Sequence, residues 1–406
     1  LNTMKMTCIK EEGFAKEKWE YVMPELGAEG EGHVFPGVSV PFGMVKLGAD
    51  CGDKNENSGW NGGGNIHWFS HVHVSVTRGG PKYGNILFQP LTGDLNLSDF
   101  SSHRSNEKIA LGSYSVKLNK YNVDVRLSAS RTVGFHEYTY PQSSSAKLII
   151  DAGSCLMVNF GESQELVASG VKVISNTEIE GYSTVKGGWN MGGPYTVYFY
   201  AKADTPADEI STWKGTTLQS DTEVNETGTT KTGACLKYTT TENQKINVKV
   251  AISFISTQQA KNNMNELASW DIEEVRQAAI DKWMDVLNLV DVEGTELHKT
   301  IFYSALHHAY LQPTDRTGAN PLWQSNEPYY DDYYAIWDTF RATHPLFALL
   351  TPTKQSEMVR SMIDIYEHDG YMPDARSGNY NGQVQGGSNC DVLIADALVK
   401  GLTGIN

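Results

Sequence analysis

Cysteine is scarce and scattered in this chain: five in 406 residues, at Cys8, Cys51, Cys155, Cys235 and Cys390. None forms a Cys-x-x-Cys pair, which excludes zinc ribbons, thioredoxin-type redox motifs and a dense disulfide framework. No apolar run approaches the roughly 18 residues that a membrane span needs. The Gly-x-Gly-x-x-Gly, Walker and Gly-x-Ser-x-Gly sequences are all missing, so neither phosphate cradling nor the serine-hydrolase elbow is supported. Basic residues are the minority, 33 Lys+Arg against 48 Asp+Glu for a net charge of −15, which excludes a general nucleic-acid binder. Leu1 to Lys10 lack an apolar segment before a small-residue cleavage site, so any export signal is expected to have been removed or never to have existed.

What the chain has instead is 20 Tyr, 9 Trp and 38 Gly in an acidic background. Aromatics beside carboxylates are what a carbohydrate site uses, and large β-domains show the same mixture, so composition leaves both readings open. A hydrophobic content of 40% excludes disorder. The length exceeds one ordinary core, and two domains with a smaller linking element are expected. The sequons at Asn96 and Asn225 are too few to bear on secretion.

From about residue 25 to 256 the pattern has period two. Ile246, Val248, Val250, Ile252 and Phe254 alternate with Asn247, Lys249, Ala251 and Ser253, as a strand does with one buried and one wetter face. Tyr195, Val197, Phe199 and Ala201 repeat it, as do Tyr114, Val116 and Leu118. Such strands without helical segments between them predict antiparallel sheets packed as a sandwich. Past Ser256 the period becomes helical. Asp271 reads as an N-cap, followed by the stripe Ile272, Val275, Ala279, Trp283 and Val286. Further stripes follow at Leu297, Ile301 and Ala305 beside Phe302, Leu306 and Ala309; at Met358, Val359, Met362, Ile363 and Tyr366, opened by Thr351-Pro352; and at Leu393, Ile394, Ala397 and Leu398, closed by Gly401. The expected division is a β-sandwich over 1–256, linker helices over 257–294, and the start of a helical domain over 295–406. Helices separated by long loops fit either an α/α toroid or an ordinary bundle.

Trp337-Asp338-Thr339-Phe340-Arg341 is the densest constellation. Asp338 and Arg341 stand at i,i+3 on a helix, where acid and guanidinium can grip adjacent sugar hydroxyls, or simply pair with each other. His71 and His73 form a His-x-His on a strand, with both rings on one face and no third metal ligand in view, so a structural pair competes with a metal pair. Trp60, within Gly59-Trp60-Asn61-Gly62-Gly63-Gly64, offers a flat face on which a pyranose can stack, or else a plug for the sandwich core.

Seven segments in order then resemble glycoside hydrolase family 92. They are Phe35-Pro36-Gly37 with Pro41-Phe42-Gly43-Met44; Phe69-Ser70-His71-Val72-His73; Tyr83-Gly84-Asn85-Ile86; Arg131-Thr132-Val133-Gly134-Phe135-His136 with Tyr138; Trp337 to Arg341 with His344-Pro345-Leu346; Gly370-Tyr371-Met372-Pro373; and Ala395-Asp396-Ala397 with Lys400-Gly401. The resemblance implies calcium-dependent, inverting exo-α-mannosidases with an N-terminal β-sandwich, linker helices and an (α/α)6 toroid. It further implies that Trp337, Asp338 and Arg341 bind substrate, with Trp60, His71 and His73 brought to them across the domains, and that calcium is the cofactor.

Two departures qualify the resemblance. Arg78, in Ser75-Val76-Thr77-Arg78-Gly79-Gly80, replaces small residues common in the family. The family's general acid and base come from later in the toroid than Asn406, so the remainder of the catalytic domain is expected as a further or separate segment, and no catalytic pair is assigned among Asp331, Asp332, Asp369, Asp374 and Asp391. The expected function is hydrolysis of terminal α-mannose from a glycan, outside the cytoplasm, with no nucleic-acid partner. The alternatives are a non-catalytic carbohydrate-binding fragment, or another (α/α)6 glycosidase or phosphorylase acting on α-glucosides.

Overall fold

The computed structural model describes residues 16–30, 32–51, 58–75, 81–157, 163–333, 335–382 and 386–405. Arg78 lies outside them. The first half forms two antiparallel sheets packed face to face. One has seven strands in the order Gly48–Asp50, Trp68–Ser70, Leu87–Leu91, Ser143–Asp151, Thr232–Thr240, Glu209–Lys214 and Thr217–Gln219. The other has nine, in the order Glu223–Thr227, Gln164–Val173, Glu178–Gly187, Gly192–Ala203, Gln244–Ser253, Val133–Tyr140, Val123–Ala129, Ser113–Leu118 and Arg104–Ala110. The period-two pattern explains the layers, because inward side chains such as Val116, Phe88, Ile150, Val197 and Ile246 meet in one core from which water is excluded.

One strand departs from its pattern. On Gln244–Ser253 the face expected to be wetter is covered too, with Lys249, Ala251 and Ser253 all buried. The cover comes from the next segment of chain. Helices α1 (Thr257–Asn263) and α2 (Ile272–Leu287) fold back onto this sheet, and Leu267, Ile272 and Val275 form a second small core with Val133, Phe135 and Ala251. The Lys249 ammonium stays satisfied there by donating to the carbonyls of Leu267 and Ala268, both at 2.9 Å, over the Trp270 ring. Alternation alone could not reveal this, since a polar residue satisfied by backbone carbonyls reads in sequence like a solvated one.

Asp271 caps α2 by accepting from the Glu273 N–H at 2.9 Å. The stripe Ile272, Val275, Ala279, Trp283 and Val286 is buried throughout. Five further helices follow: α3 (Glu296–Ala309), α4 (Ile336–Thr339), α5 (Thr343–Leu350), α6 (Pro352–Asp369) and α7 (Cys390–Val399). They share a core built on Trp283, Leu306, Phe347, Met358, Met362 and Leu393. Gly370 ends α6 at φ +79°, the left-handed conformation that suits a glycine cap. The α3 stripe splits: Leu306 is buried, whereas Leu297 and Ile301 are 65% and 49% exposed.

Candidate functional site

The Trp-Asp-Thr segment is the short helix α4, entered through Ala335 at φ +68°. Asp338 and Arg341 are both exposed, and they do not pair. Arg341 instead donates to the Trp337 carbonyl at 2.9 Å and lies over the Phe340 ring. That leaves the Asp338 carboxylate without a side-chain partner among the described residues. Trp337 is half-buried, and its ring centroid stands 6.2 Å from that of Trp189. Gly386 approaches from the other direction, so closely that a Cβ there would lie 2.6 Å from Trp337 Cβ.

Trp189 belongs to the sandwich, in the turn between the strands Glu178–Gly187 and Gly192–Ala203. This turn is the arm by which the sandwich reaches α4. Asn190 fastens it, donating from Nδ2 to the carbonyls of Ser377 at 2.7 Å and Tyr380 at 2.9 Å, while its Oδ1 accepts from Lys82 at 2.7 Å. The absence of a side chain at Gly193 lets Tyr380 sit where a Cβ would be only 2.8 Å from the ring.

Beneath this contact lies a buried ionic cluster that joins the two domains. Arg316 donates to Asp331 at 2.9 Å, to Asp332 at 3.1 Å and to the Tyr83 hydroxyl at 2.7 Å, and its guanidinium lies 3.5 Å from the Phe254 ring centroid. Arg376 reaches Asp331 at 3.2 Å and Asp369 at 2.7 Å. The Tyr83 hydroxyl donates to Asp332 at 2.5 Å and accepts from the Gly378 N–H at 2.8 Å. Tyr83 and Asp332 both hold left-handed backbones, at φ +68° and +58°, a conformation that persists in such residues only where surroundings enforce it. Burial works to raise both carboxyls, but Arg316 and Lys46 leave Asp332 below the usual carboxylate range, while Asp331, with Asp332 beside it, ends above. Burial likewise lowers Lys46 and Lys82 to about 8.

Asp374 differs from these. It is buried, neither carboxyl oxygen has a hydrogen-bond partner among the described residues, and burial raises it to about 6. Its carbonyl accepts from the Ile336 N–H at 3.0 Å, tying the loop after α6 to the start of α4. Asp391 is exposed and bonds the neighbouring Val392 N–H at the start of α7. Among the described residues no three His, Cys, Asp or Glu side chains stand together as a metal shell.

Three expected sugar-binding residues lie elsewhere. His71 is fully buried, with Nδ1 2.6 Å from the Ile86 carbonyl and Nε2 2.9 Å from His136 Nε2. His73 is buried between the Lys46 carbonyl at 2.7 Å and Asp50 at 2.8 Å, stacked on Phe35. Trp60 is a core residue whose Nε1 donates to Glu107 at 2.9 Å beneath the Arg104 guanidinium. The polar atoms of Trp60, His71 and His73 are thus taken up inside the sandwich, which favours the structural alternative for each over the expected substrate binding. The cross-domain contact runs through Trp189, Asn190 and Tyr83 instead. A glycine-flanked Trp-Asn in Gly187-Gly188-Trp189-Asn190 was the available signal for that turn.

The chain is thus a β-sandwich whose arm meets the Trp-Asp-Thr helix at the head of a helical domain. The family models agree along the chain: the glycosyl hydrolase family 92 N-terminal domain matches residues 21–253 and the family 92 catalytic domain matches 259–406. The chain belongs to glycosyl hydrolase family 92. Among solved structures it is similar to a family GH92 α-mannosidase of Bacteroides thetaiotaomicron, at 26% identity and a TM-score of 0.88, over 96% of this chain and 55% of that one. It is also similar to an inverting GH92 mannosidase of the same bacterium, at 26% identity and a TM-score of 0.83, over 97% and 54%. An uncharacterized secreted glycosidase of Arthroderma benhamiae is 28% identical over 94% of this chain and 50% of its own length. The chain thus spans about half the length of these relatives. No helix among the described residues is long and apolar enough to cross a membrane.

Proposed function

We propose that this chain, with the remainder of a helical toroid, removes terminal α-linked mannose from glycans by an inverting, calcium-assisted reaction. The observation that carries the reading is Asp338, an exposed carboxylate without a side-chain partner among the described residues, on the helix whose Trp337 meets Trp189 across the domain contact. In this role Asp338 accepts from sugar hydroxyls, Arg341 donates to them, and Trp337 presents an apolar surface to the ring. Inversion needs a protonated carboxyl at the leaving oxygen and a carboxylate that activates water from the opposite face, about 6.5–9.5 Å apart. Asp331 and Asp332 are committed to Arg316 and Arg376, and in this reading, following the family resemblance, the acid and base come from outside the described residues. The exposed apolar faces of α3 and α7, with Leu297 65% and Val399 89% exposed, suit packing against further toroid helices. Calcium enters from the family resemblance alone. Among the described residues no three His, Cys, Asp or Glu side chains stand together to hold it.

The Bacteroides relatives are mannosidases and the Arthroderma relative is described as secreted, which supports mannose as the sugar and an extracytoplasmic location. Retention of the native protein in the cytoplasm would overturn the latter. The activity is tested by assaying the full-length protein on nitrophenyl α-mannoside and nitrophenyl α-glucoside, each with and without chelator. Turnover of the mannoside alone, lost with chelator, is expected. Preference for the glucoside, or sugar binding without turnover, would replace this reading.

A further inference from the structure

A cavity of about 770 Å³ opens between the end of the sandwich and the helical domain, lined by Ile255, the loop 318–329 and Asp364 of α6. None of Trp189, Trp337, Asp338 and Arg341 lines it. The volume falls within the range of small-molecule sites, which favour domain junctions. Its central aromatic is held in place by other side chains. Trp323 is half-buried; its Nε1 donates to Asp364 at 2.7 Å, its ring stacks on His368 at 4.9 Å between centroids with 5° between planes, and Tyr329 meets it edge-on at 5.8 Å. Ser325 donates to the other Asp364 oxygen at 2.8 Å, so two points of the loop hang from one carboxylate. Tyr329 in turn donates to Asn379 at 3.1 Å and accepts from Arg376 at 3.2 Å, which ties this wall to the ionic cluster between the domains.

The polar groups left over are carboxamides. Gln324 and Asn326 are exposed lining residues whose side-chain amides have no partner among the described residues. Asn320 uses Oδ1 to accept from the Leu322 N–H at 2.9 Å, and its Nδ2 has no partner there either. No lysine or arginine lines the cavity, while its two acids are turned to protein groups, Asp364 to Trp323 and Ser325 and Glu327 to Arg360 at 2.5 Å. That lining disfavours an anion. Carboxamides present donor and acceptor together, as adjacent hydroxyls require, and Trp323 with Ile255 and Leu322 gives apolar surface for the C–H face of a ring. The exposed amides also set this rim apart from the apolar faces of α3 and α7, which suit packed helices. We propose that this cavity is a second sugar site, binding a neutral pyranose unit of the glycan apart from the unit held at α4. The proposal rests on the mannose reading for the identity of that sugar.

The test is affinity electrophoresis of the full-length protein in native gels, run in the cold with and without yeast mannan, beside turnover of nitrophenyl α-mannoside, a single sugar that reports the α4 site alone. Mannan is expected to retard the parent, and Asp338→Ala to keep most of that retardation. Trp323→Ala weakens mannan binding by about tenfold or more, and the double variant Gln324→Ala with Asn326→Ala by about fivefold or more, the sizes of a lost aromatic contact and of lost neutral hydrogen bonds. Both turn over nitrophenyl α-mannoside within about twofold of the parent. The proposal is overturned if the parent is not retarded, if Asp338→Ala abolishes retardation, or if the cavity variants either run as the parent does or lose turnover in step with mannan binding. Should Trp323→Ala fail to fold, the double variant, at exposed positions, decides the matter by itself. A parent retarded through Trp323 that does not turn over the mannoside would overturn the mannosidase reading and uphold the second site.

Discussion

Inside the sandwich, His71, His136 and Tyr138 are buried as a neutral chain of hydrogen bonds, whereas at the contact between sandwich and helices Arg316, Arg376, Asp331 and Asp332 are buried as ions. The sandwich chain has a fixed direction. A carbonyl only accepts, so His71 donates from Nδ1 to Ile86 at 2.6 Å and must accept at Nε2. His136 therefore donates from Nε2 at 2.9 Å, which leaves its Nδ1 to accept from the Tyr138 hydroxyl at 2.8 Å. Every ring nitrogen is used and none has room for another proton. At the interdomain contact the same satisfaction is reached by opposed charges and a tyrosine shared between the domains. A neutral chain needs no counter-ion and suits a core built by one stretch of sequence; an ionic cluster requires groups from both sides and so fixes their mutual placement.

The largest consequence of this contrast is sensitivity to acid. Burial lowers His71 to about 3, and His308 and His344 to about 4, while the unfolded side chain titrates near 6.5. Above pH ~6.5 neither state is charged and these residues contribute nothing. Below it the unfolded chain binds protons first, so stability falls as pH drops from ~6.5 towards ~4, by up to about 1.4 kcal/mol per pH unit for each histidine. Asp374, raised to about 6 by burial, works in the opposite sense, because the folded state binds its proton first. Burial lowers His136 and His307 as well, and raises Asp151 and Asp331 in the sense of Asp374, so five histidines stand against three carboxyls and the net is a loss. Denaturant midpoints measured from pH 7 to 4 should fall steadily, and a midpoint flat down to pH 5 would contradict the neutral interior.

Next in size is the ionic cluster. Arg316→Met leaves Asp331 and Asp332 buried with less compensation, which costs on the order of 3–5 kcal/mol. Tyr83→Phe removes a donor to Asp332 and the acceptor for Gly378 N–H, a loss of roughly 1–3 kcal/mol. The two should couple strongly, because both act on Asp332, and a double-mutant cycle by chemical denaturation measures that coupling. Additive effects would mean that the cluster is a set of separate contacts rather than one network.

Much of this was legible in the chain. Alternation in Tyr195 to Ala201 and the stripe from Ile272 to Val286 map onto a strand and a helix because water exclusion acts on each element's own period. The covering of Lys249 by α1 and α2 was not legible, since nothing local marks which solvated-looking face will be buried by a later segment. The candidate site divides in the same way. Trp337, Asp338 and Arg341 are neighbours in sequence and remain neighbours in space. Trp60, His71 and His73 looked equally suited by residue type, yet their partners Glu107, Ile86, His136, Lys46 and Asp50 are supplied by other strands and loops of the sandwich, and which of these meet depends on register that the sequence does not display. Tyr83 and Arg316, 233 positions apart, meet for the same reason.

The smallest effect on stability and the sharpest on binding are expected at Asp338. Its carboxylate is exposed and accepts no side-chain hydrogen bond from the described residues, so Asp338→Ala removes no packed group and should change stability by less than about 0.5 kcal/mol. If the carboxylate grips a sugar hydroxyl, the same substitution removes a charged hydrogen bond and weakens a mannose-type inhibitor by about 1.5–3 kcal/mol. Arg341→Ala gives the internal comparison, because its guanidinium also bonds the Trp337 carbonyl at 2.9 Å, and its loss should lower the melting temperature slightly while weakening binding. Calorimetric titration of the full-length variants, with thermal melts alongside, separates the cases. An Asp338→Ala protein that binds the inhibitor as tightly as its parent removes this carboxylate from the sugar site, and one that melts well below its parent makes it structural, as buried Asp332 is.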